Sequence, residues 1–535
     1  MKIPKFFSNL LITIFFTGLF FFISTINLDA QGLYYDEVNF APPALTFRGI
    51  NSDYSVSTSF KGLPVFILSY QGAVMSYPYG IYLKLFNQDF SVLSWRLYGI
   101  IIWSFSLLFF SIFSSKFLRT YQLTIFLAFL LTDISLILAI RFNQGPVLIP
   151  LVTDLIIILA AVKISRRNIL RGWELFFLGF SIGLAIYAKF SSYPLILPLL
   201  LMLIYLSIKK YINKKGLLTV IGGFLIGSFP ISIYNLHSLL LYGSLFSFYS
   251  IENSHLLGWK DLLNKFILLL TSSTGNDLYE RVFDEKVPNF FNLLEIFFLY
   301  FFILLTFASI LSFKKSRTSI TFYLFTSWIL SFLLLYISPM QIYTRHTLIL
   351  APFLYLSIAT FWESLSKNLT GSIKFLKICS MTLLLLWIAI RIIQTYQLFQ
   401  NFMVGKYSMA FHPDYTKLGK FAEKKSDDSL FITADWGFGH QLFLLTGGKE
   451  KTVYELNFDY QNINDLKDIV RGSKKNNLYL ISYIDDENSA NPDISKKIFQ
   501  NAASADFLTP IQSDIELSTY EIINIKKYKI IKEKL

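Results

Sequence analysis

Two adjacent carboxylates, Asp36 and Glu37, stand shortly after the first long apolar run of this sequence, in the stretch Gly-Leu-Tyr-Tyr-Asp-Glu-Val-Asn-Phe. An Asp-Glu pair in a solvated loop is common, and only its position between aromatic residues beside an apolar run singles this pair out. A carboxylate at a lipid–water boundary is partly desolvated, which raises its basicity and suits it to accept a proton from a hydroxyl group. The pair is therefore a candidate general base, provided that the neighbouring run spans a membrane.

The composition favours a membrane protein. Of 535 residues, 54% are hydrophobic and 18% aromatic, and the mean hydropathy is +0.50. The formal net charge of +13 is spread over short Lys and Arg clusters between apolar runs, and this distribution argues against a nucleic-acid partner. Cys379 is the single cysteine, so the chain has neither a disulfide framework nor a cysteine-based metal site.

Apolar runs long enough to cross about 30 Å of hydrocarbon recur through the first three quarters of the chain. We predict about eleven transmembrane helices, near 6–28, 97–115, 121–140, 145–163, 173–190, 192–208, 217–236, 290–312, 319–338, 346–361 and 374–393. The basic N-terminus is interpreted as the start of an uncleaved first helix.

Lys and Arg clusters occupy every second connection, which the positive-inside rule assigns to the cytoplasm. This predicts a multi-pass protein of the plasma (inner) membrane with a cytoplasmic N-terminus. The long loops 29–96 and 237–289 then lie outside, as does the polar C-terminal region.

The composition turns polar near residue 396, which predicts two domains: a transmembrane domain over 1–395 and an extracytoplasmic α/β domain over 396–535. Strand-like runs in the second domain are Leu430 to Thr433, Lys451 to Leu456, Leu478 to Ile484 and Ile515 to Ile525. His412-Pro413 and Gly447-Gly448 are typical helix start and stop signals.

The chain resembles the GT-C glycosyltransferases, in particular the family 39-like group that includes protein mannosyltransferases, the lipid A aminoarabinose transferase and lipopolysaccharide core transferases. These have an Asp-Glu motif in the first outer loop, which Asp36 and Glu37 match in type and position. Further similar stretches are Pro64 to Arg96, Arg141 to Val147, Gly183 to Lys189, Gly222 to Asn235, and Arg345-His346 with Pro352. The resemblance covers most of residues 30 to 360.

The resemblance implies an inverting glycosyltransferase of the cell envelope, without a metal or other cofactor, that takes a hexosyl or pentosyl group from a polyprenyl-phosphate donor. Asp36 is then the base that deprotonates the acceptor, and Glu37 orients a substrate or tunes its neighbour. The acceptor is a glycan, lipid or protein, with lipopolysaccharide biosynthesis the first expectation.

A departing lipid phosphate needs cations or hydrogen-bond donors aimed at it. Arg141, Lys189 and Arg345 are the candidates for binding the donor phosphate, because each stands alone on the side where the orientation rule disfavours cations. Snorkelling at the interface explains any single one of them equally well. Accessory candidates are His346, Arg96, Lys61 and Asn143; some relatives carry an acid where this chain has Asn143.

Two other classes of function compete. A transporter or flippase of a lipid-linked sugar would place charges near the midplane, as Asp133 and Asp154 do on this assignment, although internal repeats are not evident. A membrane-anchored binding or scaffolding protein would not need eleven helices. The stretch Thr433 to His440 contains Gly-x-Gly, which is weak evidence for phosphate binding and is better interpreted as a strand-to-helix turn.

Overall fold

The computed structural model describes residues 5–33, 35–50, 58–143, 147–166, 168–245, 247, 263, 276–312, 320–338, 344–367, 373–448, 452–511 and 520–535. They form two compact units. The helical unit comprises Met1–Leu28, Val65–Met75 and Arg96–Val404, and the α/β unit comprises Asp29–Pro64, Ser76–Trp95 and Gly405–Leu535.

The first half of the chain contains α1 (Lys5–Thr25), α2 (Tyr35–Phe40), α3 (Pro42–Leu45), α4 (Ser76–Leu85), α5 (Val92–Ser114), α6 (Thr120–Leu131), α7 (Ile134–Arg141), α8 (Leu148–Ser165), α9 (Gly172–Ala188), α10 (Ile196–Ile208), α11 (Lys214–Gly227) and α12 (Phe229–Tyr242). The second half contains α13 (Asn276–Phe283), α14 (Asn289–Ser312), α15 (Ile320–Ile337), α16 (Thr344–Thr347), α17 (Ala351–Lys367), α18 (Ile373–Val404), α19 (Asp414–Lys425), α20 (Phe438–Leu445), α21 (Ile463–Ser473) and α22 (Pro492–Ser504).

Seven helices of the described chain are long and apolar enough to cross a membrane: Phe6–Thr25, Val92–Ser114, Leu148–Ser165, Phe190–Ile208, Asn289–Ala308, Ile320–Ile337 and Ile378–Val404. The bent pairs α6–α7 and α11–α12 raise the number to nine if each pair is one span. Gly172–Ala188 and Leu348–Phe361 are shorter apolar helices. Each of the eleven predicted spans coincides with one of these elements, which confirms the predicted fold class.

Both bends have a local cause. At the 62° bend between α6 and α7, Asp133 has extended backbone and caps α7, accepting the Leu136 N–H at 3.1 Å. At the 76° bend between α11 and α12, Pro230 stands in the first turn of α12 and has no N–H to continue the helix. Asp133 therefore lies at the break between two helices, as the N-cap of α7. The sequence had instead placed it within a single span, 121–140.

Glycines bring α9 and α11 into backbone contact. A Cβ atom added to Gly179 would lie 2.0 Å from the Val220 carbonyl oxygen, and one added to Gly223 would lie 2.2 Å from that of Phe176. Gly183 and Gly227 are equally constrained. Small residues permit such close helix packing within a bilayer.

We expect Gly179→Ala to lower the thermal stability of the purified protein, because the new methyl group would overlap the backbone of α11, at a cost of about 1–3 kcal/mol. Gly222→Ala is the matched control, since nothing lies within 4 Å of a Cβ atom at Gly222. Equal melting temperatures for the two variants would contradict the close packing.

The α/β unit contains a five-stranded sheet in the order β5-β4-β6-β8-β7. Its strands are β4 (Ser429–Thr433), β5 (Val453–Glu455), β6 (Asn477–Tyr483), β7 (Leu508–Ile511) and β8 (Ile523–Ile530). β5, β4 and β6 are parallel, and β8 and β7 add antiparallel strands. Buried apolar side chains cover both faces of the sheet and pack under α19 to α22.

Three of the four predicted strands of this sheet are present at nearly the predicted positions. The fourth, 515–525, is wrong in extent: β8 begins only at Ile523, and 512–519 lie outside the described residues. The helix signals are confirmed, because α19 begins directly after Pro413, and Gly447 and Gly448, with φ of +71° and +70°, follow the end of α20.

The first outer loop contributes to both units. Within the helical unit, Val65–Met75 contains most of the hairpin of β2 (Leu63–Leu68) and β3 (Gln71–Gly72), whereas β1 (Thr58–Phe60) and α4 belong to the α/β unit. α4 and the turn after it expose Ile81, Leu85 and Phe86, an apolar face typical of a helix lying in the membrane interface.

Candidate functional site

Glu37 is fully buried on α2, a helix of six residues, and its backbone carbonyl accepts the Ala41 N–H at 3.1 Å. Asp36 precedes it on the same helix, and its side chain lies outside the described residues. Burial of a carboxyl group is costly unless it is hydrogen-bonded. The residues around Glu37 must therefore satisfy its carboxyl group.

The C-terminal part of the chain holds the segment that carries these acids. Gly32 donates its N–H to the Phe411 carbonyl at 3.0 Å, and a Cβ atom at Gly32 would lie 2.5 Å from the His412 carbonyl oxygen. On the other side of α2, the Ser76 hydroxyl donates to the Phe40 carbonyl at 2.7 Å. Both contacts are within the α/β unit, so this unit fixes the position of Asp36 and Glu37.

The helical unit brings together two of the predicted cations, Arg96 and Arg141, both fully buried. Their guanidinium carbons lie 5.0 and 5.6 Å from the centre of the Phe142 ring, and that of Arg141 lies 3.9 Å from the Phe402 ring. Such cation–π contacts are worth about 2 kcal/mol when desolvated. Asn143 is also buried, with φ of +48°, and lies next to Gly99 of α5.

Both guanidinium groups donate to carbonyls in the last turn of α1 or just after it. Arg96 donates to Leu28 at 2.8 Å, and Arg141 donates to Ser24 at 2.7 Å and Asn27 at 3.1 Å. The C-terminal end of a helix carries partial negative charge, which attracts cations. Capping α1 is therefore one function of these arginines, and their predicted contact with the donor phosphate stays a prediction.

Lys189 ends α9 and is 3% exposed. Its neighbours attach this end to the β2–β3 hairpin: the Tyr187 hydroxyl donates to the Val65 carbonyl at 2.7 Å, and the Phe190 N–H donates to the Tyr70 carbonyl at 2.9 Å. Lys189 is thus held at the junction of α9 and this hairpin, and its contact with the donor phosphate stays a prediction.

The remaining predicted residues are dispersed. His346 is buried on α16 in the helical unit, whereas the Arg345 side chain lies outside the described residues. Lys61 is exposed in the α/β unit, with its ammonium 5.7 Å from the Phe60 ring centre. Arg48, a further cation of the first outer loop, pairs with Asp89 in the same unit.

Sequence reasoning missed a buried charge network in the helical unit. Arg391 of α18 donates from Nε to Glu295 of α14 at 2.8 Å and from Nη2 to the Tyr355 hydroxyl at 2.8 Å. The same hydroxyl donates to Asp133, and the Trp387 indole N–H donates to Glu295 at 2.8 Å. Opposite charges within two apolar runs were the available signal, but nothing in the sequence pairs them.

This network gives Asp133 a structural role. Asp154, fully buried on α8, has no hydrogen-bond partner for either carboxylate oxygen in the part of the chain that the structure describes. The two acids therefore have different surroundings, although the sequence placed both near the midplane.

The glycine-containing turn after β4 binds a carboxyl group of the protein itself. Gly437, with φ of +97°, caps α20, and the N–H groups of Gly437 and Gly439 donate to Glu455 Oε2 at 3.2 and 2.9 Å. The position that a phosphate would take at this helix N-terminus is occupied by a carboxylate. The turn thus has the structural role favoured from the sequence.

Burial raises the pKa of Glu455 from its ordinary value of 4.5 to about 7. The folded protein therefore loses this proton near pH 7, whereas the unfolded chain loses it near pH 4.5. Stability should therefore fall as pH rises from about 4.5 to 7. We expect Glu455→Gln, which keeps the accepting oxygen, to flatten this part of the profile and to be more stable than the wild type at pH 8. Thermal melting from pH 5 to 8 tests this, and an unchanged profile would contradict it.

If Arg141 binds the donor phosphate, Arg141→Gln should raise the KM for donor by about tenfold to a hundredfold, the value of one or two charged hydrogen bonds. Donor saturation curves should be paired with melting temperatures. A variant with a lower melting temperature but a normal KM for donor would show that Arg141 only caps α1.

No protein-family model matches the sequence, and no curated protein sequence matches it significantly. Solved structures do match. ArnT from Cupriavidus metallidurans bound to undecaprenyl phosphate superposes with a TM-score of 0.58 and 9% identity, over 96% of this chain and 97% of that one. Its apo form gives 0.57 and 10%, over 97% and 98%.

An oligosaccharyltransferase from Archaeoglobus fulgidus, in its apo form, superposes with a TM-score of 0.51 and 12% identity, over 92% of this chain and 72% of that one. At such low identity these similarities establish a shared fold.

Proposed function

From the GT-C fold that this chain shares with ArnT and the archaeal oligosaccharyltransferase, we propose that it is an inverting glycosyltransferase of the plasma membrane. It moves a sugar from a polyprenyl-phosphate donor to an envelope glycan, lipid or protein on the extracytoplasmic side. Its N-terminus lies in the cytoplasm and the α/β unit outside. The similarity to a structure bound to undecaprenyl phosphate supports the lipid carrier.

The proposal is supported by the charged side chains that each unit contains. Asp36 and Glu37 belong to the α/β unit, whereas Arg96, Arg141 and Lys189 are buried in the helical unit. The proposal assigns these cations to a lipid phosphate that enters from the bilayer, and these carboxylates to an acceptor that arrives from water.

In this reaction Asp36 accepts the proton of the acceptor hydroxyl as its oxygen attacks the anomeric carbon of the sugar. The bond from that carbon to the phosphate oxygen breaks, and the lipid phosphate leaves with the electron pair. Arg141 and Lys189, with Arg345, stabilise the negative charge that develops on the phosphate. Glu37 orients the acceptor. Inversion follows from a single displacement.

Mass analysis of envelope glycolipids, with and without the chain, tests the function and identifies the sugar. A product smaller by one pentose or hexose in the deletion strain, restored by the wild-type chain, is the expected result. Unchanged glycolipids and glycoproteins would refute the proposal.

A flippase is the second candidate, suggested by intramembrane acids. The network around Asp133 weakens it, because this acid is bound to Tyr355 and packs beside Arg391. In vesicles, movement of lipid-linked sugar between leaflets without cleavage of any bond would favour the flippase.

A further inference from the structure

The order in which the parallel strands are added to the sheet reverses at β4. The chain passes from β4 to β5 on one side and then to β6 on the other. In open α/β sheets, ligands bind outside the carboxyl ends of the strands at such a reversal. The loops that leave these three ends, residues 434–437, 456–459 and 484–489, are here called the loop platform.

The loop platform exposes one large apolar side chain in each of its three loops. Trp436, Phe458 and Ile484 are 37%, 64% and 52% exposed. Each comes three residues after a strand residue, and those strand residues, Thr433, Glu455 and Ile481, are in register with one another across the sheet. Among the described residues from 405 onwards, only Ile511, in β7, is a comparably exposed large apolar residue.

Hydrogen bonds fix the three loops to one another. Asn457 donates to the Ala434 carbonyl at 2.9 Å and accepts from Asn491 at 3.1 Å. Asp435 accepts the Tyr483 N–H at 2.8 Å and the Ser489 hydroxyl. The loops are therefore ordered in advance, which lowers the entropic cost of binding.

The acidic side chains of the loop platform indicate which kind of ligand it binds. Asp459, Asp485 and Glu487 are exposed beside the apolar side chains, and Asp486 pairs with Lys496. Carboxylates only accept hydrogen bonds, so they suit a ligand rich in hydroxyl or amino donors and repel phosphate. Aromatic faces beside such acceptors match a sugar ring, which has C–H groups on its faces and hydroxyls at its edge.

The loop platform belongs to the same unit as the proposed base. α20 begins directly after Gly437 and packs against α2, the helix of Asp36 and Glu37. The Tyr483 hydroxyl, at the end of β6, also lies 2.9 Å from the Tyr415 hydroxyl of α19.

We propose that the loop platform binds the carbohydrate portion of the acceptor, as a neutral or amine-bearing glycan. This inference deepens the proposed function and rests on it. The platform is a binding surface, distinct from the carboxylates that react, and Trp436 and Phe458 provide most of its affinity.

The test uses the full-length protein in nanodiscs and three soluble probes: dextran oligosaccharides (neutral), chitosan oligosaccharides (cationic) and phosphomannan fragments (anionic). We expect dextran or chitosan fragments to bind, and the double variant Trp436→Ala/Phe458→Ala to weaken that binding about tenfold, the combined value of two aromatic contacts. Ile511→Ala, an equally apolar change at the far edge of the sheet, should bind normally. Failure of both probes to bind, preference for phosphomannan, or unchanged binding by the double variant would overturn the inference.

Asp36→Asn separates this inference from the proposed function. The variant should still bind glycan while losing transfer. If Asp36→Asn transfers sugar normally while the loop platform binds glycan, the proposed chemistry fails and the platform stands. If transfer is lost in Asp36→Asn but the double variant keeps both glycan binding and the KM for acceptor, only the platform fails.

Discussion

Asp36→Asn is expected to lower kcat for sugar transfer by about a hundredfold to ten-thousandfold, the usual contribution of a positioned general base. The amide is nearly isosteric with the carboxylate but cannot accept the acceptor's proton. The measurement is the rate of transfer from a synthetic polyprenyl-phosphate sugar by the purified protein in nanodiscs, at saturating donor, with melting temperature recorded in parallel.

Two comparisons make this result specific. Asp36→Glu keeps the carboxyl group and should recover part of the rate, whereas Asp89→Asn, in an exposed acid of the same unit, should leave it unchanged. A normal rate for Asp36→Asn, or placement of residues 36 and 37 in the cytoplasm by reporter tagging, would eliminate Asp36 as the base.

Arg391→Met is expected to destabilise the helical unit by about 3–5 kcal/mol, the usual cost of removing one partner from a buried ion pair. The change would leave Glu295 and Asp133 buried without their cation, since Arg391 Nη2 lies 2.7 Å from Glu295 and 3.9 Å from Asp133. Thermal unfolding of the purified protein, with the yield of folded protein as a second readout, measures the effect.

A double-mutant cycle tests the pairing directly. The double variant Arg391→Met/Glu295→Gln should lose less stability than the sum of the two single changes, because it leaves one fewer unpaired charge. Lys163→Met is the matched control: Lys163 pairs with Glu174 at 2.5 Å, but both side chains are about 20% exposed, and such pairs contribute at most about 1 kcal/mol. Strictly additive losses would contradict the network.

The sequence by itself determined the membrane spans, because a bilayer leaves backbone groups no partner except those of their own helix. Each apolar run of sufficient length therefore has to become a helix, and all eleven predicted spans coincide with apolar helices or bent helix pairs. The glycines and prolines around Pro413 and Gly447 were equally informative, since their backbone restrictions are local. The Asp-Glu motif was found because it is contiguous.

Only the tertiary structure decided which charges meet. Arg391 and Glu295 are 96 residues apart, and the sequence placed Asp133 and Asp154 at a similar depth without showing that their surroundings differ. Packing between distant segments also divides the first outer loop between two units. It likewise brings Glu455 to Gly437 and Gly439, and it aligns three exposed side chains, Trp436, Phe458 and Ile484. Local patterns specify a helix or a turn, but which side chains become neighbours is decided by how helices and strands bury their surfaces against one another.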